Sequence, residues 1–375
     1  MKKPPSFAFW AIIVCVVCVI AVVSIRSIPP VTDENFETYT PPEATPEFCM
    51  ESYIDMSGYF GMIEHGDEKL FFTSNAQTIE TADFGTETFN VSYETNLTDT
   101  NDLSYTVLGS TLYYSEGIML RSLNLDTGVH KTEHTFAPEL ADIFVCGTYG
   151  DELGRARVAI LTIAYRENQS EYYKEIYSYN TVTGESEKLC DVNITEQNIG
   201  MKYLVSDENY AYFAKFHSAG NLYKLDLKTG EFSKFASDKL ITALRLKNSF
   251  PNQAAIFENH LYFKVIGKPF GLYRANLETG EIEEYFRSGF TGNIAAFCFE
   301  DGILYTAVQN EAFGDIDTPD YRGIYSVFTI DTESGEYNEI SEKVEIASEI
   351  RGLAVDGNKA LIYGSNPTFV DLKPN

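Results

Sequence analysis

The sequence predicts an all-β fold: a ring of seven four-stranded blades, a β-propeller, set behind one membrane-spanning segment. Three observations predict it. A 19-residue apolar run stands near the N-terminus; two kinds of turn alternate along the rest of the chain, about seven times each; and no amphipathic helical stretch occurs after residue 49.

The apolar run, Phe7 to Ile25, has Ser24 as its only polar member and matches the roughly 20 residues that cross a bilayer as a helix. Lys2 and Lys3 precede it, and one Arg26 and then mostly acids follow. The positive-inside bias therefore keeps residues 1–6 in the cytoplasm and sends the remainder out, with 7–25 as an uncleaved signal anchor. The run is long for the apolar region of a cleaved signal peptide, which is the rival reading. Residues 26–48 follow as a stalk; its stretch PPVTDENFETYTPPEATPE carries almost nothing apolar and cannot collapse.

From residue 49 to residue 375, short runs of Tyr, Phe, Ile, Val and Leu are punctuated by Gly, Asn and Asp. The first turn precedes strands of the type LYF, as at Gly109-Ser110, Asp207-Glu208-Asn209 and Asp301-Gly302. The second closes strands of the type LYKLDL: Asp126-Thr127-Gly128, Val182-Thr183-Gly184, Lys228-Thr229-Gly230, Glu278-Thr279-Gly280 and Glu333-Ser334-Gly335. Glycine recurs there because a tight hairpin needs a positive φ that glycine adopts cheaply. Asp83-Phe84-Gly85 reads as a worn copy, and the chain stops at Asp371 to Asn375 where a seventh would stand. One unit thus reads as inner strand A, turn, strand B, loop, strand C, glycine turn and outer strand D. The clearest unit has these at Tyr203 to Ser206, Tyr210 to Phe216, Leu222 to Leu227 and Phe232 to Phe235. Four antiparallel strands per 40 to 50 residues make a propeller blade, seven by this count, with six or eight as the alternatives.

The last unit has A (Leu353 to Val355), B (Ala360 to Tyr363) and C (Phe369 to Leu372) but no D. Cys49 to Ile54, ahead of the first A strand at Phe60 to Ile63, can supply it and close the ring. The four cysteines of this domain, Cys49, Cys146, Cys190 and Cys298, form no CxxC pair; Cys146 and Cys190 fall on opposite edges of one blade, so free thiols are expected.

The units LYKLDLKTGEF (222–232) and LYRANLETGEI (272–282) resemble those of bacterial extracytoplasmic propellers of the TolB and YWTD-like kind, some of them membrane-tethered and without an assigned function. The resemblance covers residues 49–375 and implies a fold rather than an activity. Trp10 is the single tryptophan, so the WD dipeptide, the sialidase-type aspartate box and the tryptophan docking of quinone dehydrogenase propellers are missing.

Residues 27–375 hold 25 bases, that is 28 less Lys2, Lys3 and Arg26, against 55 acids, a formal charge of −30. Such a field repels nucleic acid and anionic headgroups. No HExxH, GxSxG, Walker or GxGxxG pattern occurs, and His65, His130, His134, His217 and His260 are scattered, so they read as surface or turn residues and no catalytic residue is assigned.

Both turn types lie on one face of the ring, so the B-to-C and D-to-A loops lie on the other, where repeat scaffolds often bind. Two B-to-C loops are long there, Arg166 to Tyr172 and Asn310 to Arg322. Tyr172, Tyr173 and Tyr321 are the binding candidates on or beside them. Within GDIDTPDYRG, Asp315, Asp317 and Asp320 place hard oxygen ligands at a spacing that could hold calcium, against which stands a solvated acidic loop; no other cofactor is implied. The expected function is a monomeric, non-enzymatic module outside the cell membrane that binds an envelope protein or a glycan. The alternative is an envelope glycan hydrolase or lyase with carboxylates at the channel mouth.

Overall fold

A computed structural model describes residues 62–65, 68–72, 78–94, 104–150, 156–165, 171–192, 201–207, 209–215, 222–236, 250–266, 271–286, 293–314, 321–347, 350–364 and 367–373. The chain divides into two units, Met1–Thr38 and Tyr39–Asn375, and every described residue belongs to the second. Among the described residues no helix is long and apolar enough to cross a membrane, and the Phe7 to Ile25 run lies outside them.

Seven antiparallel sheets follow one another along the chain, each with its strands in sequence order from A outward. Blade 1 is Met62–His65, Glu68–Phe72, Thr78–Asp83 and Thr88–Glu94; blade 2 is Tyr105–Leu108, Thr111–Glu116, Met119–Asn124 and His130–Thr135. Blade 3 is Asp142–Gly150, Ala156–Tyr165, Glu171–Asn180 and Ser186–Asp191; blade 4 is Met201–Ser206, Tyr210–Lys215, Leu222–Asp226 and Phe232–Ala236. Blade 5 is Phe250–Phe257, His260–Ile266, Gly271–Asn276 and Ile282–Phe286. Blade 6 is Asn293–Glu300, Ile303–Phe313, Arg322–Ile330 and a divided outer strand, Tyr337–Glu339 then Val344–Ile346, both paired to strand C. Blade 7 is Ile350–Asp356, Lys359–Gly364 and Thr368–Asp371. The seven-bladed, all-β expectation is met. The first A strand is described as Met62–His65, and Phe60, Gly61 and Cys49 to Ile54 lie outside the described residues.

Period-two alternation builds the ring. On strand B of blade 4, Ala211 and Phe213 pack into blade 3, while Tyr212 and Ala214 pack into blade 5. Seven apolar clusters result, one at each interface, and the seventh joins Ala354, Leu361 and Tyr363 of blade 7 to Phe71, Ala82 and Phe84 of blade 1. At that seam Tyr363 stacks on Phe71 with ring centroids 4.9 Å apart, and Phe369 lies edge-on to Phe84 at 5.4 Å. Lys69 of blade 1, itself buried, reaches Glu300 of blade 6 at 2.7 Å. A buried ammonium needs such a partner, so this pair ties together the two neighbours of blade 7.

The glycine turns have a second anchor that lies four residues ahead. Asn124, Asn180, Asp226 and Asn276 each accept two hydrogen bonds through the side chain, as Asp226 does from the Lys228 and Thr229 N–H groups at 2.8 Å. Asp331 accepts three, from the Glu333 and Ser334 N–H groups and the Ser334 hydroxyl. Gly128, Gly184, Gly230, Gly280 and Gly335 turn back with φ between +69° and +74°. Asn124 takes its second bond from the Thr127 hydroxyl rather than from another N–H. This is an Asx turn, a local side-chain bond that competes with strand continuation. Blade 1 corrects the reading of its worn copy. Asp83 is the Asx residue, accepting from Gly85 and Thr86, so the position four residues on is Glu87, with φ 57°, and not Gly85. A side chain in the left-handed region costs roughly 1 kcal/mol, and the Glu87 ion pair with Lys359 is exposed and of little worth. Glu87→Gly is therefore expected to raise stability by about 1 kcal/mol in denaturant melts.

Outer strands lean on the next blade. Tyr93 donates to Leu125 O, Tyr285 to Asp331 O at 2.6 Å, and Lys373 N–H to Ile340 O at 2.6 Å beside the isolated Ser341–Leu372 bridge. Arg274 covers the Tyr285 ring at 4.4 Å and donates to Thr332 O at 3.0 Å. Between blades 2 and 3, the Glu133 carboxylate accepts from Tyr179, Ser122 and Lys131. Burial works against its charge, but those three donors outweigh it and hold the carboxyl below the ordinary glutamate range. Stability from this group is therefore complete above the unfolded-state value and lost as pH falls through the lower folded value. Glu133→Gln should flatten the acid side of a thermal-stability profile; an unchanged acid limb would exclude Glu133 from it.

Candidate functional site

The face opposite the turns is built out at blades 3 and 6. Strands B and C of blade 3 have 10 residues each and those of blade 6 have 11 and 9, against 6 and 5 in blade 4 and 7 and 6 in blade 5. Part of what reads in sequence as long loop, Glu171 and Tyr172 in blade 3 and Asn310 to Phe313 with Arg322 in blade 6, is thus strand. In blade 6 the pairing Gln309↔Tyr325 continues, past a bulge at Asn310, to Glu311↔Ile324, Ala312↔Gly323 and Phe313↔Arg322. In blade 3, Tyr172 and Tyr173 lie on strand C opposite Ala164 and Ile163, also past a bulge. A bulge turns its strand and re-aims the residues beyond it, so both hairpins change direction where they leave the ring.

At the root of the blade 6 hairpin, polar groups meet. Tyr325 is fully buried; the Gln309 amide donates to its hydroxyl at 3.0 Å and to the Tyr321 hydroxyl at 2.5 Å, and the two hydroxyls are 3.4 Å apart. Asn310 donates to the Ser326 hydroxyl at 2.8 Å. A Cβ on Gly323 would stand 2.3 to 2.4 Å from the Tyr325 ring, so only glycine lets that ring fold back along its own strand. Gly271 and Tyr273 repeat the arrangement in blade 5, less tightly, at 3.2 Å. Tyr321 is therefore a buried support, exposed by 7%, whereas Phe313 at the end of strand B is exposed by 51% alongside exposed Glu311 and Ala312. Arg322 meets Glu345 at 3.3 Å in full solvent, a contact of little energetic weight.

A second set of contacts fixes the inner strands at bulges. Gln253 has φ 45°, and its amide bonds both ways with the backbone of Phe297 in blade 6, accepting at 3.3 Å and donating at 2.9 Å. Lys264 donates to Ala295 O at 2.5 Å. In blade 4, Tyr203 and Ser206 both donate to Cys146 O of blade 3. These side chains take up the backbone groups that a bulged edge strand leaves without ladder partners.

Asp315, Asp317 and Asp320 lie outside the described residues, and among the described residues no three His, Cys, Asp or Glu side chains could together hold a metal ion. Not all histidines are surface or turn residues. His134 sits half-buried on an outer strand, edge-on to Phe136 at 4.6 Å, and burial lowers its pKa; His260 is half-buried 3.4 Å from Asn276. His217 lies outside the described residues. Cys146, Cys190 and Cys298 are free thiols, and burial pushes the Cys146 thiol far up, which makes it inert. Sequence reading missed Gln309, Tyr325 and Gly323; the recurrence of Gly-x-Tyr at 271–273 and 323–325 is the signal that could have found them.

No protein-family model matches the sequence, and no curated protein matches it significantly. Solved structures do match in fold. An oligogalacturonate lyase from Vibrio parahaemolyticus aligns with a TM-score of 0.54 at 12% identity, over 90% of this chain and 96% of that one. The extracellular domain of a protein described as a hybrid two component system, from B. thetaiotaomicron, aligns with a TM-score of 0.51 at 10% identity over 86% of this chain. This chain spans 40% of that structure's length. TolB from Acinetobacter baumannii aligns at a TM-score of 0.40 and 14% identity, over 78% of this chain and 67% of that one, too loose a likeness to carry weight. At such identities the likeness is one of fold: this chain is a seven-bladed β-propeller.

Proposed function

We propose that the chain is a propeller held outside the cell membrane by Phe7 to Ile25, its last blade completed by residues 49–54, and that it works as a non-enzymatic module binding an envelope protein or glycan. The observation that carries this reading is the pair of lengthened hairpins on one face of blades 3 and 6, the second with exposed Phe313 at the end of strand B, beyond half-buried Gln309 and buried Tyr321 and Tyr325. An exposed aromatic on a rigid support loses little entropy on binding, which suits it to anchor a contact. The acidic field of the domain favours partners with basic surfaces. Likeness in fold to an extracellular domain is in keeping with placement outside the membrane.

The test uses the full chain in its own membrane, cross-linked and recovered, beside a glycan array probed with residues 49–375. A partner or glycan retained by the wild type should be released about 30-fold more readily by Phe313→Asp, the loss of one anchor of about 2 kcal/mol. Retention unchanged in Phe313→Asp would remove the blade 6 hairpin from the contact. Turnover of a bound glycan would replace the binding reading with the hydrolase or lyase, and recovery of the chain from the soluble fraction would overturn the anchor.

A further inference from the structure

The inner edge of the blade 6 hairpin is open. Strand A pairs with strand B only as far as Asn293↔Gln309, so Glu311, Ala312 and Phe313 have strand C on one side and, among the described residues, no strand on the other. Strand C is backed there by Val344–Ile346, which makes the projecting part a three-stranded sheet with strand B at its margin. We infer that this margin takes up an extended, basic peptide as a further strand. The inference rests on the proposed binding role of the hairpin and deepens it, naming the partner as a protein segment.

Backbone alternation identifies the residue that holds the peptide. Val327 of strand C turns its backbone toward the outer strand: its N–H donates to the Ser341 hydroxyl at 2.8 Å and its carbonyl accepts from the Ile340 N–H at 2.9 Å. Successive residues of a strand direct their backbone groups to opposite sides. Tyr325 and Gly323 therefore face outward as well, where they meet Val344 and Ile346. Ile324 and Arg322 face inward and bond with Glu311 and Phe313. Ala312, opposite Gly323, is left with its N–H and carbonyl directed away from strand C, and neither has a partner among the described residues. One donor and one acceptor at that spacing match the carbonyl and N–H of a single residue in an antiparallel strand. A sugar hydroxyl offers no such fixed pair.

The side chains set the chemistry of the partner. Glu311 and Phe313 lie on one face of the strand, two residues apart, and both are exposed. Arg322, across from Phe313, is taken up by Glu345, whereas Glu311 has no cation beside it among the described residues. A strand laid against Ala312 thus meets a carboxylate and an aromatic ring on the same face, and the segment that fits carries a cation and an apolar residue two apart. The acidic surplus of the whole chain favours the same sign of partner. Edges elsewhere on the ring are guarded by charge, with Lys131 and Glu133 in blade 2, Glu187 and Lys188 in blade 3, and Glu283 and Glu284 in blade 5. The margin at Glu311 to Phe313 has one acid, no lysine and no proline, and its last residue is an exposed aromatic.

The test measures binding of a fluorescent synthetic peptide, VTKTVTK, to the full chain in detergent micelles by anisotropy. Its valines and lysines share one face and its threonines the other. The wild type should bind it, and should bind the acidic counterpart VTETVTE at least about tenfold more weakly. A threonine N–H meets the Ala312 carbonyl in this pairing, so N-methylation of the threonines should weaken binding about tenfold. N-methylation of the valines, whose N–H groups point to solvent, should not. Ala312→Pro removes the matching donor. Proline is tolerated on an edge strand whose N–H faces solvent, so this variant should fold and lose affinity about tenfold, where Ala312→Val should leave it unchanged. Equal affinity for the two methylated peptides, or wild-type affinity in Ala312→Pro, overturns pairing at this edge; should Ala312→Pro not fold, the methylated peptides decide. No binding of VTKTVTK, while Phe313→Asp still releases the partner retained in the membrane, overturns the peptide inference and leaves the binding role of the hairpin standing. A retained partner that proves to be a glycan does the same, and retention unchanged in Phe313→Asp overturns both.

Discussion

Gly230→Ala should cost about 3 kcal/mol of unfolding free energy, where the same change at Gly335 should cost only about 1. Both glycines close a C-to-D turn with φ +72°, so the left-handed backbone penalty is shared. Their surroundings differ. A Cβ at Gly230 would stand 2.4 Å from Asp191 O and 3.0 Å from Cys190 Sγ, where the outer strand of blade 3 crosses the turn of blade 4, while at Gly335 nothing lies within 4 Å. Backbone cannot swing aside as a side-chain tip can, so the blades must separate to admit the methyl group. Equal losses at the two sites in urea melts would mean that blades 3 and 4 do not meet at this turn.

Tyr363→Ala should cost roughly 3 to 5 kcal/mol, the range for truncating a buried aromatic residue. Tyr363 is exposed by 2%, stacks on Phe71 and lies 6.3 Å from Phe89, so it is the largest side chain that blade 7 contributes to the seam with blade 1. The five interfaces that do not involve blade 7 are flanked by sheets of at least four strands; here, as at the interface with blade 6, one sheet shows three among the described residues. Truncation there should lower the melting temperature more than an equally buried change elsewhere, such as Phe213→Ala between blades 3 and 4. A seam variant as stable as the wild type would contradict the packing at 4.9 Å.

The ring was legible because its turns repeat a chemical need. Positive φ calls for glycine, and the Thr-Gly and Ser-Gly copies mark five of seven units from sequence alone. The strands of blade 4 end within two residues of where alternation puts them. Blade 1 was misread at its turn because Gly85 drew attention from the Asx spacing, which counts from Asp83 to Glu87. The hairpin of blade 6 was illegible for a different reason: residues 311–313 are all exposed, so no burial alternation marks them as strand. Nothing in the sequence announces the strained φ of Gln253, because a bulge is fixed by the neighbouring blade whose backbone its amide meets.

Native-state hydrogen exchange, resolved strand by strand, tests the closed ring most directly. With blade 7 packed on blade 1, the amides of Thr78–Asp83 and Lys359–Gly364 should open only with the same global free energy as those of Tyr210–Lys215 and His260–Ile266 on the far side. If the first and last blades instead exchanged together at markedly lower free energy while blades 3 to 5 stayed protected, the seven sheets would form an open arc and the seam would not exist.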